Sequence, residues 1–338
     1  MLVIGGKDVA AALAGQERAV VAVVEETYRR HDAGRTSVPH SSFLRFPDEP
    51  RNRIIALAAH VGGETPVTGL KWIASYPGNL AAGLPRASAV IVLNSVRTGR
   101  PEALLEASTI SAWRTAASAA SAAALSTAGR SVPVAAIVGC GPINLTVLRF
   151  LVATGAPPIE RFRLHDTDPS RAARFAEAVG RSFPGIAVEV AASTSDALAG
   201  AGLISIATNA ATPHLDLAGS APDAVVLHVS LRDLTPATIL ASRNLVDDVD
   251  HVCREQTSIH LTEQATGHRD FIDAPIGALL RGTATLPDDP ARPRVVFSPF
   301  GLGALDMALA GWVRDRVVEL GLGGAVPHFL PDSEGDQP

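Results

Sequence analysis

Cysteine and lysine are scarce in this chain, and it contains no long hydrophobic run. The 338 residues include two cysteines, Cys140 and Cys253, which lie too far apart to form a zinc-type or redox-type pair. No apolar stretch approaches the roughly 18 residues that a membrane span requires. The N-terminal sequence MLVIGGKDVA lacks the basic start and long apolar segment of a signal peptide. We therefore expect a cytoplasmic protein with no metal site and no membrane partner.

The net charge of −5 argues weakly against a nucleic-acid partner. Residues 1–130 contain 14 basic and 10 acidic residues, a balance of +4, whereas the remainder contains 15 and 24, a balance of −9. The basic first part is compatible with a site for carboxylates. A chance scatter of surface charge explains the same numbers equally well.

Lysine occurs only at Lys7 and Lys71, against 27 arginines. Lys71 lies within the apolar segment Gly69–Ala74, where a generic surface cation is not expected. Lysine differs from arginine in its compact ammonium group and its adjustable pKa. We therefore interpret Lys71 as a functional residue.

The first 128 residues predict an α+β domain. Residues 9–34 have the spacing of an amphipathic helix, and residues 102–128 form an alanine-rich helix. Three short apolar segments between them predict strands of one sheet, at 53–60, 66–76 and 87–94.

Strands and helices alternate in the following region, which is typical of a doubly wound parallel sheet of the Rossmann type. The predicted strands are 132–138, 161–165, 187–191, 202–207 and 224–229, and the predicted helices are 143–154, 171–181 and 195–199. A helix at 302–320 is expected to return to the first domain. The predicted domains are therefore 1–128 with 302–330, an NAD-binding domain at 129–301, and a flexible tail at 331–338.

The segment from Val134 to Asn144 contains the most specific local motif. An apolar strand ends in Gly139 and Gly141, and a helix follows immediately. Gly139 permits a tight turn, and Gly141 lets the backbone approach a pyrophosphate at the helix N-terminus. Asn144 replaces the third glycine of the usual fingerprint. We assign these positions and the helix start to the cofactor, namely Gly139, Gly141, Pro142, Ile143 and Asn144.

Asp166 ends the second predicted strand, 25 residues after Gly141, where an acidic residue binds the ribose hydroxyls of NAD. Its carboxylate would repel the 2′-phosphate of NADP, so we expect NAD as the cofactor. Asp168 is expected to cap the next helix, and Cys140 to be a small buried residue. Thr208, directly after the fourth predicted strand, is assigned to the same cofactor site.

Cations in the first domain are candidates for substrate binding. Arg35 lies in the sequence GRTSVP, and Arg114 lies on a nearly uncharged helix where an unpaired arginine would be costly. Taken singly, Arg35 and Arg114 could each form a structural ion pair instead. Arg86 and Arg53 are further candidates, although each taken alone is better explained as a surface residue.

Taken in order, these motifs resemble the ornithine cyclodeaminase/mu-crystallin family. The resemblance runs from about residue 30 to 320 and rests on GRTSVP, GLKW, PGN, AWRTAA, VGCGPIN, HDTDP and FSPFGLGALDMALA. It implies a discontinuous substrate-binding and dimerisation domain around an NAD-binding domain, and hence a homodimer. It also implies that Arg35, Lys71 and Arg114 bind the carboxylate of a small amino-acid-derived substrate.

Three stretches are most similar to the branch of the family that serves 2,3-diaminopropionate biosynthesis, namely 71–79, 83–88 and 228–233. That branch implies oxidative hydrolysis of N-(2-amino-2-carboxyethyl)-L-glutamate to 2,3-diaminopropionate and 2-oxoglutarate, in siderophore or peptide-antibiotic biosynthesis. Ornithine cyclisation, an alanine or cyclic-imine dehydrogenase or reductase, and a non-catalytic binding protein are the alternatives.

The loop after the fifth predicted strand departs from the family pattern. Cyclodeaminases carry an aspartate directly after this strand, whereas the sequence here is His228-Val-Ser-Leu-Arg-Asp233. Asp233 and His228 are therefore the candidates for the acid–base role, and Lys71 is the third candidate catalytic residue. Asp233 could alternatively cap the turn before Pro236.

Overall fold

The computed structural model describes residues 1–127 and 129–331. The chain divides into two units, one formed by residues 1–114 together with the residues from 302 onward, and one formed by residues 115–301. The first division falls within a helix and the second just before one. Of the predicted tail, residues 332–338 lie outside the described residues, as does residue 128.

The helices and strands have the following bounds. The strands are β1 (Leu2–Ile4), β2 (Thr36–Ser37), β3 (Ser42–Arg45), β4 (Arg53–Val61), β5 (Val67–Ser75), β6 (Ala87–Asn94), β7 (Pro101–Glu106), β8 (Val132–Val138), β9 (Ile159–His165), β10 (Ala187–Val190), β11 (Leu203–Ile206), β12 (Val225–His228), β13 (Ser242–Val246), β14 (Ile272–Pro275), β15 (Arg294–Ser298) and β16 (Gly324–Ala325). The helices are α1 (Gly6–Leu13), α2 (Glu17–Asp32), α3 (Ser108–Thr127), α4 (Pro142–Thr154), α5 (Pro169–Ser182), α6 (Thr194–Leu198), α7 (Pro236–Leu240), α8 (Val249–Val252), α9 (Ser258–Thr266), α10 (Ile276–Arg281) and α11 (Gly303–Glu319).

The first unit is built on a mixed sheet with the order β16-β1-β7-β6-β5-β4-β2, and β3 also pairs with β4. β1 and β7 are parallel, whereas the other neighbouring strands are antiparallel. Helix α11 packs against β4 and β5. A Cβ at Gly69 would lie 2.1 Å from the Val92 oxygen and 3.0 Å from Sδ of Met307, so the close approach of strand and helix requires glycine here.

Two predicted helices of the first unit differ from the structure. The segment 9–34 forms α1 and α2 rather than one helix, because Gly15 takes a left-handed conformation with φ +72° between them. The segment 102–128 begins as strand β7, in which Ala103 and Leu105 alternate with less buried residues, and helix α3 starts only at Ser108. Alanine and leucine favour helices, which concealed the two-residue period of this strand.

The second unit contains a parallel sheet with the order β10-β9-β8-β11-β12-β15-β13-β14. This arrangement confirms the predicted α/β class. The chain order of the strands reverses between β8 and β11, and ligands of such sheets bind at the carboxyl ends of the strands beside this reversal. Residues 139 and 208 follow β8 and β11 there.

The region 236–298 carries elements that the sequence did not predict, namely β13–β15 and α7–α10. Strand β13 has the sequence SRNLV, in which Arg243 and Asn244 interrupt the apolar run. Within the described ranges, no helix is both long and apolar enough to span a bilayer.

Candidate functional site

The turn between β8 and α4 has the geometry of a phosphate-binding loop. Gly139 has φ +89°, and a Cβ on it would lie 2.5 Å from the Ala207 oxygen, so both conformation and packing require glycine. Gly141 differs, because a Cβ there would meet no atom within 4 Å. Glycine at 141 therefore keeps open space in front of the α4 N-terminus, where Pro142 and Ile143 begin the helix. Free backbone N–H groups at such a position bind phosphate oxygens.

Asn144 stabilises this turn through its side chain. The side chain is fully buried, and its Nδ2 donates to the backbone oxygens of Val138 at 3.0 Å and Gly139 at 2.7 Å. The hydroxyl of Ser205 on β11 donates to its Oδ1 at 2.7 Å. The Asn144 side chain therefore joins the glycine turn to the two central strands and holds the shape of the predicted cofactor-binding turn.

Asp166 lies at the carboxyl end of β9, beside the glycine turn. Its carboxylate accepts the backbone N–H of Cys140 at 2.8 Å and that of Asp168 at 2.9 Å. Burial, with the nearby Asp166 charge, raises the pKa of the Cys140 thiol to about 12, which suits an inert packing residue. Asp168 accepts from the N–H groups of Ser170 and Arg171, which confirms its predicted role as the cap of α5.

A buried polar network joins the ends of β11, β12 and β15. The hydroxyls of Thr208 and Ser230 donate to the two carboxylate oxygens of Asp233 in short hydrogen bonds. Nε2 of His228 lies 3.3 Å from Oδ2 of Asp233, and Nδ1 of His228 lies 3.1 Å from the Ser298 hydroxyl. The structure therefore brings together three predicted site residues, Thr208, His228 and Asp233.

The charge states in this network follow from burial and hydrogen bonding. Burial lowers the pKa of His228 despite the nearby carboxylate, which favours a neutral ring. Burial would raise the pKa of Asp233, but hydrogen bonds from His228, Ser230 and Thr208 outweigh it and lower the pKa. His228 and Asp233 are both fully buried in side chain, so Thr208 and Ser230 are the more exposed members. The result is an ionised carboxylate beneath two hydroxyl groups.

Lys71 forms a second buried cluster, in the first unit. Its Nζ lies 2.5 Å from Oδ2 of Asp306 on α11 and donates to the Ser111 hydroxyl at 3.3 Å. Nε of Arg114 donates to Oδ1 of the same carboxylate at 3.1 Å. One carboxylate therefore orients two cations, and the three formal charges sum to +1.

The surroundings of Lys71 in this cluster lower its pKa toward neutral pH. Burial lowers the pKa of Lys71, the Asp306 carboxylate raises it and the Arg114 charge lowers it, and together these effects place it at about 8. A cluster with one excess positive charge suits a carboxylate ligand, because the ligand neutralises that charge in a desolvated environment.

Two other predicted cations lie elsewhere. Arg35 is exposed between α2 and β2, and no described residue forms a hydrogen bond or ion pair with its side chain. Arg86 precedes β6, and its Nη1 donates to the Ser75 hydroxyl at 2.8 Å. The structure therefore joins Lys71 to Arg114 but does not bring Arg35 or Arg86 into hydrogen-bonding contact with them.

Asp306, Ser230 and Ser298 were not predicted as site residues. Asp306 could have been identified from the sequence, because it is the one acidic residue in the apolar run GALDMALA. The two serines gave no signal, since serine is common and the partner of Ser298, His228, is remote in sequence. Within residues 1–127 and 129–331, no group of three or more histidines, cysteines and acids could hold a metal ion.

Several known proteins are similar to this chain along nearly its whole length. N-((2S)-2-amino-2-carboxyethyl)-L-glutamate dehydrogenase of Staphylococcus aureus is 27% identical, with 96% of this chain and 97% of that protein covered. A Delta(1)-pyrroline-2-carboxylate reductase of Bacillus cereus is 25% identical, with 90% and 93% covered. Among solved structures, Delta(1)-pyrroline-2-carboxylate reductase of Thermococcus litoralis, in complex with NADH and L-proline, has a TM-score of 0.86 at 23% identity, with 96% and 100% covered.

The family model described as ornithine cyclodeaminase/mu-crystallin family matches residues 7–321. This range includes the glycine turn, the Asp233 network and the Lys71 cluster. The chain therefore belongs to the ornithine cyclodeaminase/mu-crystallin family.

Proposed function

We propose that this chain is an NAD-dependent oxidoreductase that acts on the CH–NH group of an amino-acid-derived substrate. The observation that carries the proposal is the cluster of Lys71, Arg114 and Asp306, whose excess positive charge suits a substrate carboxylate. The open space at Gly141 and the acid at the end of β9, Asp166, fit a bound NAD. Residues 1–114 with 302–330 thus serve the substrate, and residues 115–301 serve the cofactor.

We assign N-(2-amino-2-carboxyethyl)-L-glutamate as the substrate, with 2,3-diaminopropionate and 2-oxoglutarate as products. The similarity to the S. aureus dehydrogenase across nearly the whole of both chains supports this assignment. Three carboxylates on the substrate also suit a unit rich in arginine. The product would then supply siderophore or peptide-antibiotic biosynthesis.

The proposed reaction consists of hydride removal, addition of water and cleavage of the C–N bond. The glutamyl Cα loses a hydride and the adjacent secondary amine loses a proton, which leaves a C=N bond. Water adds to the imine carbon, the C–N bond breaks, and the amine and the ketoacid are released. NAD, when bound, accepts the hydride and becomes NADH.

The side chains of this protein supply binding and proton transfer. Lys71 and Arg114 hold a substrate carboxylate, which fixes the orientation of the reacting carbon. Lys71 can also exchange a proton near neutral pH, because its pKa is about 8. Asp233, with Thr208 and Ser230, is the second candidate for proton transfer during addition of water, and the buried His228 acts by positioning Asp233.

A second candidate function is reduction of a cyclic imino acid. The similarity to the B. cereus reductase favours it, since it covers nine-tenths of this chain. That reaction uses the same cofactor and a substrate with one carboxylate, so Lys71 and Arg114 would serve it equally well. A non-catalytic binding protein would retain ligand and cofactor without turnover.

We also propose a cytoplasmic homodimer. The face of the first sheet opposite Lys71 exposes Trp72 and Val90, which are direct partners on β5 and β6 and are 41% and 40% exposed. Aromatic and aliphatic side chains exposed side by side suit burial against a second copy. Cys140 and Cys253 are both free and buried, which suits a reducing compartment.

The decisive experiment mixes the protein with NAD and N-(2-amino-2-carboxyethyl)-L-glutamate and follows absorbance at 340 nm. We expect NADH to accumulate in a one-to-one ratio with 2-oxoglutarate. Parallel runs use ornithine, alanine, and pyrroline-2-carboxylate with NADH. Proline formed from ornithine without net NADH, or NADH consumption with the cyclic imine alone, would overturn the substrate assignment. Binding of NAD without turnover of any substrate would overturn the enzyme assignment.

A further inference from the structure

A group of arginines lies at the ends of the central strands of the first sheet. Arg45 on β3 and Arg53 on β4 are direct cross-strand partners, and Arg53 is also the partner of Ser75 on β5. Direct partners project from the same face of a sheet. Arg45 and Arg53 therefore concentrate positive charge on one face of this sheet, at the end of β3 and the start of β4.

Arg86 completes the group. Its guanidinium donates to the Ser75 hydroxyl at 2.8 Å, and no carboxylate of the described residues lies within ion-pair distance of it. Arg53 is the cross-strand partner of the same Ser75, so the two arginines meet at this serine. Burial, and then the charge of Arg53, lower the pKa of Arg86, in keeping with this position. The neutral hydroxyl of Ser75 does not offset the charge of Arg86, whereas an anion bound beside Arg86 and Arg53 would.

Arg53 and Ser75 lie on the same face of the sheet as Lys71. Lys71 and Ser75 lie on the same strand and the same face, four residues apart, which corresponds to roughly 13 Å along the strand. Ile73 on β5 and its partner Ile55 on β4 lie between them on that face. Along one face of the sheet, the Lys71 cluster is therefore followed by two isoleucines and then by the group of arginines.

This order of groups matches a ligand with anionic ends and a short aliphatic middle. We infer that Arg53 and Arg86 form a second anion subsite, which binds the distal carboxylate of a substrate whose α-carboxylate is held by Lys71 and Arg114. The inference rests on the proposed function for the position of the α-carboxylate. It gives that function a basis for selectivity, because an ω-ammonium group such as that of ornithine would be repelled and a monocarboxylate would leave the subsite unused.

The experiment measures binding rather than turnover, so it does not depend on the identity of the full substrate. The NADH-loaded protein is titrated with 2-oxoglutarate and with 2-oxopentanoate, which has the same five carbons but lacks the distal carboxylate. For the unaltered protein we expect 2-oxoglutarate to bind at least about tenfold more tightly, as for one charged hydrogen-bonded contact.

Arg53→Gln and Arg86→Gln should each remove most of this preference and leave the affinity for 2-oxopentanoate within about twofold. Arg86→Lys retains the charge and should retain part of the preference. Arg51→Gln is the matched control, since it removes one charge from the exposed turn just before β4 and should preserve the preference. NADH affinity and the thermal midpoint establish that each variant is folded.

Three results would overturn the inference: no preference in the unaltered protein, a preference that survives in both glutamine variants, or equal weakening of both ligands. Failure of the proposed function has a different signature. It would appear as absent turnover of N-(2-amino-2-carboxyethyl)-L-glutamate while the preference for the dicarboxylate and its loss in the variants remain.

Discussion

The ammonium of Lys71 lies 2.5 Å from a carboxylate oxygen of Asp306, although the two residues are 235 positions apart in the sequence. This contact opposes the effect of burial on the lysine pKa. The sign of the pH dependence therefore tests what Lys71 does.

We expect kcat/KM to fall as the pH rises through about 8, because Lys71 then loses its proton and the cluster loses its excess positive charge. The fall should approach tenfold per pH unit, as for the loss of one essential proton. Asp306→Asn removes the charge that raises the lysine pKa, so its profile should shift to lower pH. A kcat/KM that instead rises through pH 8 would identify Lys71 as a base in the free enzyme.

Lys71→Ala and Arg114→Ala should each lower kcat/KM by a factor that corresponds to roughly 2–4 kcal/mol, since each removes one of the two cations that hold the desolvated carboxylate. The affinity for NAD should stay within a few-fold, because both residues lie outside residues 115–301. Arg97→Ala, in an exposed turn, is the matched control. Near-normal turnover in both variants would show that the substrate carboxylate binds elsewhere.

NAD should bind more tightly than NADP, because the Asp166 carboxylate accepts from ribose hydroxyls and repels a 2′-phosphate. Asp166→Ala should reduce or reverse this preference in a fluorescence titration. Asp168→Ala separates cofactor recognition from local stability, because it removes the cap of α5 and should cost about 1 kcal/mol of unfolding free energy. An unchanged preference in Asp166→Ala would remove this residue from the cofactor site.

Asn144→Ala should lower both the free energy of unfolding and the affinity for NAD. The substitution removes the side-chain donor to the oxygens of Val138 and Gly139 and leaves the buried Ser205 hydroxyl without its acceptor, which corresponds to about 2–3 kcal/mol by chemical denaturation. Thr146→Ala on the same helix removes one exposed hydrogen bond and should have little effect on either quantity. Normal NAD affinity in a destabilised Asn144→Ala protein would show that the turn keeps its geometry without this side chain.

Asp233→Asn should lower kcat by about 100-fold or more, the usual range for loss of an acid–base group. The affinity for substrate should change much less, which distinguishes this role from carboxylate binding. Ser298→Ala removes only the hydroxyl next to His228 and should give a small loss. A kcat within a few-fold of normal in Asp233→Asn would leave this residue with the structural role of ordering Thr208 and Ser230.

Sequence patterns were sufficient for the elements that follow simple periodicities. Strand β8 has the predicted bounds 132–138, because its apolar run is continuous and ends at a glycine turn. Strand β7 was missed because Ala103 and Leu105 belong equally well to a helix. Register and packing against β6 decided its conformation, and neither is visible in a local pattern.

The candidate site likewise contains residues that the sequence identified and contacts that only the structure shows. Gly139, Gly141 and Asp166 were identifiable, because their spacing along one strand–helix–strand unit carries the chemistry. The partnership of Lys71 with Asp306 was not, because it depends on how α11 packs on β5. Arg86 was identified as a cation, but its relation to Arg53 and Ser75 follows only from the strand pairing.

The pairing of β1 with β16, together with the contact between β5 and α11, has a consequence for synthesis on the ribosome. Residues 115–301 are contiguous and can collapse as soon as they emerge. The segment made first must wait for the segment made last, because α11 covers its sheet and supplies the counterion of Lys71. During translation the nascent chain therefore exposes the apolar face of β4 and β5 for the time needed to make about 250 further residues, at about 5–20 residues per second. We expect the first unit to be most prone to aggregation during this interval.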